Sequence, residues 1–322
     1  MRNPARFDLS TTALAALLTT LVVALSVGIA SAPARATSPG PNGLIAFDSD
    51  RFGGTHNIFT MKSDGTDVLQ LTFLTADEGA ALGQRWSADG STLTFEERNA
   101  RGNKRQIWVM DADGSDQHKL FSDPWYVDFS PSFAPDGSKI VFARCTPDFE
   151  GCSIATVSAD GTAGVTNLTD FSFFRFQPVY SPDGSQIAFS AFGQGGVTAA
   201  VWVMNADGSN VHQITAAPLS AQTGDWSPNG ARILFWTHCC TPKNAQIWTI
   251  NADGTDPVQL TNPFPKHDFT GTYSPNGRRI VFERDSADFS KFDIWVMNTD
   301  GSGKHKIQDD GFLPTWGPAP SP

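Results

Sequence analysis

Short apolar runs that end in Asp-Gly turns recur along this chain. The phrase "VWVMNADGSN" from Val201 has close copies in "IWVMDADGSD" from Ile107, "IWTINADGTD" from Ile247 and "IWVMNTDGSG" from Ile294. Within each run the apolar residues are consecutive, whereas a half-exposed strand would alternate apolar and polar residues. Because successive side chains of a strand point to opposite faces, both faces of these strands must be covered. The pattern therefore predicts short strands that pack between other sheets.

The turns return at a nearly fixed period. Glycines that close a first turn are spaced by 47, 47, 47, 46 and 47 residues, at Gly43, Gly90, Gly137, Gly184, Gly230 and Gly277. A second series of turn glycines follows at Gly65, Gly114, Gly161, Gly208, Gly254 and Gly301. Within one period the turns separate four short apolar runs, and Asp-Gly between such runs is a strong hairpin signal. Each repeat is therefore predicted to be a four-stranded antiparallel meander.

The six repeats are predicted to close into a ring. Sheets that stack around an axis cover both of their faces, because each blade is packed by its two neighbours. In five repeats an aromatic residue stands four positions before the first turn glycine, at Trp86, Phe133, Tyr180, Trp226 and Tyr273. The first repeat lacks this residue, and Trp316 near the C-terminus supplies it. We therefore predict an all-β fold, a six-bladed β-propeller of four-stranded antiparallel blades in which the C-terminal strand completes blade 1.

The N-terminal segment is typical of a secretory signal peptide. Arginines precede a long uncharged stretch from Thr11, and the sequence "ARA" that ends at Ala36 provides a small-x-small cleavage site. We expect residues 1–36 to be removed and residues 37–322 to form a single propeller domain without a membrane span. An uncleaved membrane anchor is the alternative, because the stretch is long enough to span a bilayer. The expected location is secreted, periplasmic or in the cell envelope.

Charge and cysteine content narrow the partners and the compartment. The formal net charge is −10, so nucleic acid is a poor partner, because phosphate binding needs clustered Lys and Arg. Four cysteines in an exported chain permit disulfides. Cys145 and Cys152 flank the connection between the second and third strands of blade 3 and are predicted to bond. Cys239 and Cys240 adjoin in the corresponding loop of blade 5, where a vicinal disulfide and two free thiols both remain open.

These repeats resemble the TolB-like propeller repeat, also called the WD-like propeller repeat. The shared pattern is an aromatic residue, Ser-Pro-Asp-Gly, Ile-x-Phe, then Ile-Trp-Val-Met-Asn-x-Asp-Gly and Leu-Thr. Blade 1 also keeps "SDR", from Ser49 to Arg51. The resemblance implies the propeller only, and we expect neither the α/β domain that precedes it in TolB nor the hydrolase domain of prolyl oligopeptidases. It is specific for fold, whereas propellers serve many unrelated functions.

Oligogalacturonate lyases of related architecture gather histidines around a central metal, so the histidines of this chain are candidate metal ligands. Three fall in outermost strands of separate blades, and three fall in separate loops: His118, His212 and His305, then His56, His238 and His267. The three outermost-strand histidines cannot converge on one ion, and the three loop histidines are interpreted as solvated or hydrogen-bonded, with a metal site as the alternative. The run "DADGSD" from Asp111 is interpreted as a hairpin turn, because its relatives lose the acids of a calcium loop and keep the turn. We expect no metal and no cofactor.

The variable loops are the predicted binding surface. Both series of tight turns fall at one end of the ring, and the connections that vary in sequence and length fall at the other. Binding usually resides in loops on a rigid scaffold. Phe129, Phe176, Phe269 and Phe312 share one repeat position and are interpreted as structural. The binding candidates are aromatic or charged residues of the variable connections: Trp125, Tyr126, Asp128, Phe173, Phe174, Arg175, His267 and Asp268.

Two functional classes follow. The leading hypothesis is an exported, monomeric, non-catalytic propeller that binds a protein, peptide or glycan through the loop face and the mouth of the central channel. The alternative is a lyase or glycoside hydrolase that uses Asp128, Arg175, His267 and Asp268 on an anionic or glycan substrate. Glycoside chemistry would need two carboxyl groups roughly 5–9.5 Å apart. The two hypotheses differ in whether those four side chains meet in one pocket.

Overall fold

Turn glycines fold the chain into hairpins at the predicted positions. Gly90 and Gly208 have φ angles of +73° and +88°, which a residue without a Cβ adopts at little cost. A computed structural model describes residues 40–193, 198–216, 220–237 and 244–320. The expected signal peptide, His238 and the Cys239-Cys240 pair lie outside the described residues.

The first three blades take up the chain from residue 42 to residue 167. Blade 1 begins with β1 (Asn42–Ser49), β2 (Asn57–Met61) and β3 (Leu69–Gln70). Blade 2 contains β4 (Gly79–Trp86), β5 (Thr92–Asn99), β6 (Arg105–Asp111) and β7 (His118–Lys119). Blade 3 contains β8 (Val127–Phe133), β9 (Lys139–Cys145), β10 (Cys152–Ser158) and β11 (Thr166–Asn167).

The remaining strands repeat this order. Blade 4 contains β12 (Arg175–Tyr180), β13 (Gln186–Phe192), β14 (Ala199–Asn205) and β15 (His212–Gln213). Blade 5 contains β16 (Ala221–Trp226), β17 (Arg232–Thr237), β18 (Gln246–Asn251) and β19 (Val258–Gln259). Blade 6 contains β20 (His267–Tyr273), β21 (Arg279–Asp285), β22 (Phe292–Asn298) and β23 (His305–Gln308), and β24 (Phe312–Pro318) follows.

The described strands form six antiparallel four-stranded sheets, and one of them joins the two ends of the chain. Its strand order is β24-β1-β2-β3, with Trp316 opposite Ile45 and Phe312 opposite Asp48. Each innermost strand contacts the innermost strands of both neighbouring blades, and β24 contacts β20 and β4. The predicted six-bladed propeller, closed by the C-terminal strand in blade 1, is therefore confirmed. Gly43 lies inside β1 and not in a hairpin turn, because β24 and β1 come from opposite ends of the chain.

The core lies between neighbouring blades. In one cluster, Val179 and Ala188 of blade 4 pack against Trp226 and Phe235 of blade 5, and all four are buried. Backbone groups are also tied across blade junctions. The side chain of Asp225 in blade 5 accepts the backbone N–H of Tyr273 in blade 6 at 2.8 Å. Thus the apolar second and third strands of each blade are covered on both faces, as their sequence predicts.

The topology gives the ring two different ends. We call turn face the end with the tight hairpins, such as β4–β5 and β6–β7, and loop face the end with the β5–β6-type loops and the connections between blades. The Cys145–Cys152 disulfide, which confirms the prediction, lies at the loop-face end of β9 and β10, with Cα atoms 4.0 Å apart. Ala155 in the same strand fills the place that aromatic residues occupy in the other blades.

Candidate binding face

Exposed aromatic side chains mark the loop face. Across the part of the chain that the structure describes, the large exposed aromatics are Phe52, Phe73, Trp125, Phe264 and Phe289. All five stand in loop-face connections, and Trp125 between β7 and β8 is 76% exposed. Aromatic side chains with little to cover them are over-represented at protein-binding surfaces. The distribution therefore distinguishes the loop face from the turn face.

Trp125 and Tyr126 form the edge of an aromatic group on blade 3. The ring of Tyr126 stacks on that of Phe171 from the next connection, with centroids 5.6 Å apart and planes 23° apart. The Arg144 guanidinium lies 4.7 Å from the Tyr126 ring. The backbone N–H of Trp125 donates to Asp123 at 3.0 Å, which fixes the loop while the indole stays in solvent. The structure thus brings these two predicted residues together.

Phe173 and Arg175 lie in the connection from blade 3 to blade 4. The Arg175 guanidinium covers the Phe173 ring at 5.1 Å and donates to a carboxylate oxygen of Asp170 at 2.9 Å. Hydrogen bonds from the hydroxyl and the backbone N–H of Ser172, together with the hydrogen bond from Arg175, lower the pKa of Asp170 to about 2. Arg175 is itself buried, so its charge stabilises the connection between blades 3 and 4. The neighbouring Phe173 ring is partly exposed and remains accessible to a partner.

Phe174 differs from its neighbours because it turns inward. Its ring lies 5.5 Å from Phe176 and 5.9 Å from Phe192, and it also contacts Phe129. Phe129, Phe176, Phe269 and Phe312, which the sequence assigned to the core, are all buried. Phe174 therefore supports the base of the blade 3 to blade 4 connection, with only part of its surface in solvent.

Asp128 and Asp268 are the same feature in two blades. Asp128 accepts from Arg144 at 2.8 and 2.9 Å, and Asp268 accepts from Arg284 at 2.5 and 2.8 Å, each through two parallel hydrogen bonds. Both carboxyl groups are buried, and burial raises their pKa values above the usual range although the arginines oppose the shift. Each aspartate is directly opposite its arginine in the strand register. Such pairs hold the innermost strand to its neighbour.

His267 is held by its surroundings. Its Nδ1 accepts the backbone N–H of Ala245 at 3.2 Å, and its ring stacks on Phe289 at 4.5 Å. Blade 6, which carries His267 and Asp268, lies opposite blade 3, which carries Asp128, and each of the two aspartates is paired with an arginine of its own blade. The stacking of Tyr126 on Phe171 places the β7–β8 connection beside the connection that carries Phe173 and Arg175.

No metal site emerges from the described side chains. Within the ranges that the structure covers, no group of three His, Cys, Asp or Glu residues could hold an ion. The outermost-strand histidines instead contact the backbone oxygen two residues earlier, at 2.7 to 2.9 Å: His118, His212 and His305. In "DADGSD", Asp113 accepts the hydroxyl and the backbone N–H of Ser115, as a turn-capping aspartate does.

Buried carboxyl groups at the blade junctions were not among the predicted residues. Glu96 and Glu283 directly follow the phenylalanine of the second strand, and their side chains accept the backbone N–H groups of Ser130 and Leu313 in the next blade, at 3.1 and 2.9 Å. Asp48 has the same repeat position in blade 1 and contacts His56 at 2.6 Å. Alignment of the repeats shows this signal, since a carboxyl group interrupts an apolar strand at one fixed position.

Glu283 shares its environment with a second carboxyl group, Asp285. Burial raises the pKa of Glu283 to about 7. Burial also raises the pKa of Asp285 to about 10, helped by the neighbouring Glu283 carboxylate. One proton between two carboxyl groups lowers the cost of burying both, because like charges this close cannot both ionise readily.

Comparison with known proteins relates the chain to one kind of propeller. Residues 163–320 match the family described as TolB beta propeller domain. The structure of TolB from Acinetobacter baumannii is similar with a TM-score of 0.73 and 18% identity, covering 97% of this chain and 74% of that one. A putative TolB from Agrobacterium tumefaciens gives a TM-score of 0.66 and 17% identity, covering 84% and 90%.

An enzyme structure shares the fold too. An oligogalacturonate lyase in complex with manganese gives a TM-score of 0.59 and 18% identity, covering 85% of this chain and 76% of that one. At such identities these likenesses show a common fold. The sequence has no match among curated proteins. The described residues contain no helix that is long and apolar enough to cross a membrane.

Proposed function

Because the chain is a TolB-like six-bladed β-propeller, with residues 163–320 matching the TolB beta propeller domain, we propose that it is a non-catalytic binding module. The partner is a protein or a peptide, and it binds the loop face. One observation carries the proposal: the large exposed aromatics of the described chain all stand on that face. Their burial on binding would supply favourable free energy at little entropic cost, since aromatic rings have few rotamers.

The contacts of the charged candidates support binding over catalysis. Asp128 and Asp268 are each engaged by an arginine of the adjacent strand, and Arg175 is engaged by Asp170. A general acid or base must reach a substrate proton. The enzyme alternative has the fold of the manganese-bound lyase in its favour. It would require the buried ion pairs of Asp128 and Asp268 to open, and breaking a buried ion pair costs about 3–5 kcal/mol.

We also propose that the protein acts outside the cytoplasm. The Cys145–Cys152 disulfide is typical of an oxidising compartment. The sequence before residue 37 has the features of a signal peptide. Together they favour a partner in the periplasm, the cell envelope or the medium.

Trp125→Ala tests the binding face. The mature protein, immobilised, would be compared with this variant for recovery of partners from native envelope or medium. We expect recovery to fall by about tenfold or more, since a tryptophan that becomes buried in an interface often contributes about 2 kcal/mol to binding. Folding stability should change by less than about 0.5 kcal/mol, because the indole is exposed.

Leu69→Ala is the matched control, because Leu69 is an exposed apolar residue of the outermost strand in blade 1. Equal recovery by the wild type and Trp125→Ala would contradict the proposed face. Release of the partner by free sugar, or recovery of glycan alone, would contradict a protein or peptide ligand. Conversion of oligogalacturonate by the purified protein with manganese would favour the enzyme.

A further inference from the structure

Two clefts on the turn face lie at equivalent places in the ring. One, of about 400 Å³, lies between blades 2 and 3, and the other, of about 870 Å³, lies between blades 5 and 6. Their lining residues correspond at an offset of 140 positions, so that Ser87 matches Ser227 and Pro135 matches Pro275. Because the scaffold is the same, differences between the clefts come from a few side chains.

The cleft between blades 5 and 6, which we call the arginine cleft, holds the side chain of Arg232. One Nη of this guanidinium donates to Asn251 and to the carboxylate of Asp256, both at 3.0 Å. The other Nη donates to the backbone oxygen of Asp256 at 2.7 Å, and Nε donates to the Thr249 hydroxyl at 3.2 Å. Arg232 thus covers the groups at positions 251 and 256, and neither of these lines the open cleft.

The cleft between blades 2 and 3, which we call the acidic cleft, has the short side chain of Thr92 in place of Arg232. Asp111 and Asp116 stand at the positions of Asn251 and Asp256, and here both line the open cleft. Three further aspartates complete the lining: Asp89, Asp136 and Asp160. The scaffold that surrounds a guanidinium in one cleft therefore surrounds open volume in the other, and the acidic cleft has five aspartates where the equivalent positions of the arginine cleft have two.

No basic side chain of the protein occupies the acidic cleft, as its lining shows. The lining contains no lysine or arginine, and its one histidine, His118, lies 3.6 Å from the Asp116 carboxylate. Exposed Lys139 acts on Asp136 from outside the lining. Hydroxyl groups cap several of these aspartates, for example Ser115 on Asp111 at 3.2 Å. Hydroxyl caps leave the negative charge in place, so the cleft favours a cation.

We propose that the acidic cleft binds an arginine side chain of a partner protein, with the guanidinium where Arg232 places its own in the arginine cleft. The planar guanidinium offers several donors in a fixed fork, which suits two facing carboxylates better than an ammonium does. The five aspartates provide the complementary charge. This site is on the turn face and goes beyond the proposed loop-face binding, so failure of either proposal leaves the other standing.

Binding of N-acetyl-triarginine amide, measured by calorimetry at low salt, tests the proposal. Thr92→Arg should fill the acidic cleft from within, as Arg232 does in its own cleft, and weaken the peptide by about tenfold or more. Asp111→Asn with Asp116→Asn should weaken it similarly. The control is Asp207→Asn with Asp253→Asn, which removes two turn-face carboxylates outside the cleft and should change affinity less than about twofold at matched ionic strength.

Three results would overturn the inference. Unchanged peptide affinity in Thr92→Arg would show that the cleft is not the site. An equal loss of peptide affinity in the control variant would indicate that the peptide is attracted by the net charge of the protein and not by the cleft. Spermidine or N-acetyl-trilysine amide binding as tightly as the arginine peptide would indicate a site for any cation. Near-ultraviolet circular dichroism verifies that each variant is folded, and Thr92→Arg remains informative if the double aspartate variant does not fold.

Discussion

The residue after the second-strand phenylalanine determines how one blade is joined to the next. Glu96, Ser190 and Glu283 occupy this position in blades 2, 4 and 6, and each accepts a backbone N–H from the next innermost strand. Serine does this without charge, whereas glutamate brings a buried carboxyl group into the junction. Burial therefore links the protonation of Glu283 to the stability of the junction between blades 6 and 1.

Glu283→Gln should reduce the dependence of stability on pH. The folded pKa of Glu283, about 7, lies above its usual value, so the folded state binds more protons between pH 4.5 and 7. The contribution of protonated Glu283 to the free energy of unfolding is therefore fully present below about pH 4.5, and it is lost as the pH rises through about 7. Asp285, with a pKa raised to about 10, extends the loss to higher pH.

Glutamine keeps an acceptor for Leu313 and removes one carboxyl group of the pair. We expect the variant to lose less stability than the wild type from pH 5 to pH 8, by an amount on the order of 2 kcal/mol. Urea unfolding at pH 5, 6.5 and 8 measures this. Parallel stability profiles for the two proteins would contradict the link to Glu283.

At the scale of single elements, the β9–β10 hairpin shows how a covalent bond replaces packing. Cys145 and Cys152 are directly opposite each other, and both are buried. The strand β10 has Ala155 where the other blades have an aromatic residue, so it contributes less buried apolar area. The disulfide offsets this by restricting the unfolded chain.

Replacing both cysteines by alanine should destabilise the protein by about 2–3 kcal/mol, the value expected for a closed loop of this length. Alanine avoids placing a hydroxyl without a partner in the core. Thermal unfolding of the double variant measures the loss, and wild type unfolded in a reducing agent is the control. If reduction lowers the midpoint of the wild type and leaves the variant unchanged, the loss belongs to the bond. Equal midpoints for the oxidised wild type and the variant would contradict the stabilising role.

The elements were predictable because their signals are local. The turn glycines and the consecutive apolar residues indicate strands within one repeat. All of the predicted turn glycines except Gly43 have positive φ angles in the structure, whereas Gly43 lies inside β1. The ion pairs of Asp128 and Asp268 were not predictable in this way. Their arginines are 16 residues away, and the pairing depends on strand register and on a bulge after Phe129 and after Phe269. The sequence therefore indicated Asp128 and Asp268 as candidate residues, but it did not indicate that arginines of the adjacent strand bind them.

At the scale of the whole molecule, the ring depends on one strand. The indole of Trp316 in β24 is completely buried, and its backbone N–H donates to Thr272 of blade 6 at 3.0 Å. Without β24, the edge of β1 and one face of blade 6 would be uncovered. An uncovered edge offers unpaired backbone groups and promotes association.

Truncation after Asp310 should therefore abolish the cooperative unfolding transition and yield aggregates. Size-exclusion chromatography and circular dichroism measure both effects. Truncation after Pro320 is the control, because it keeps β24 and the hydrogen bond from Ala319 to Pro41. A monomeric, cooperatively folded protein that ends at Asp310 would contradict the role of ring closure.

Closure of the ring in blade 1 also determines which face of the propeller is nearer to a support to which the chain is tethered. Gly40 lines the arginine cleft, and the backbone N–H of Ala319 donates a hydrogen bond to the backbone oxygen of Pro41 at 2.9 Å. Both ends of the described chain therefore lie at the turn face. A tether at either end would hold that side toward its support and leave Trp125 and its neighbours facing outward. A sensor surface that captures the protein by a tag placed directly after residue 320 would thus lie nearer to the turn face than to the loop face.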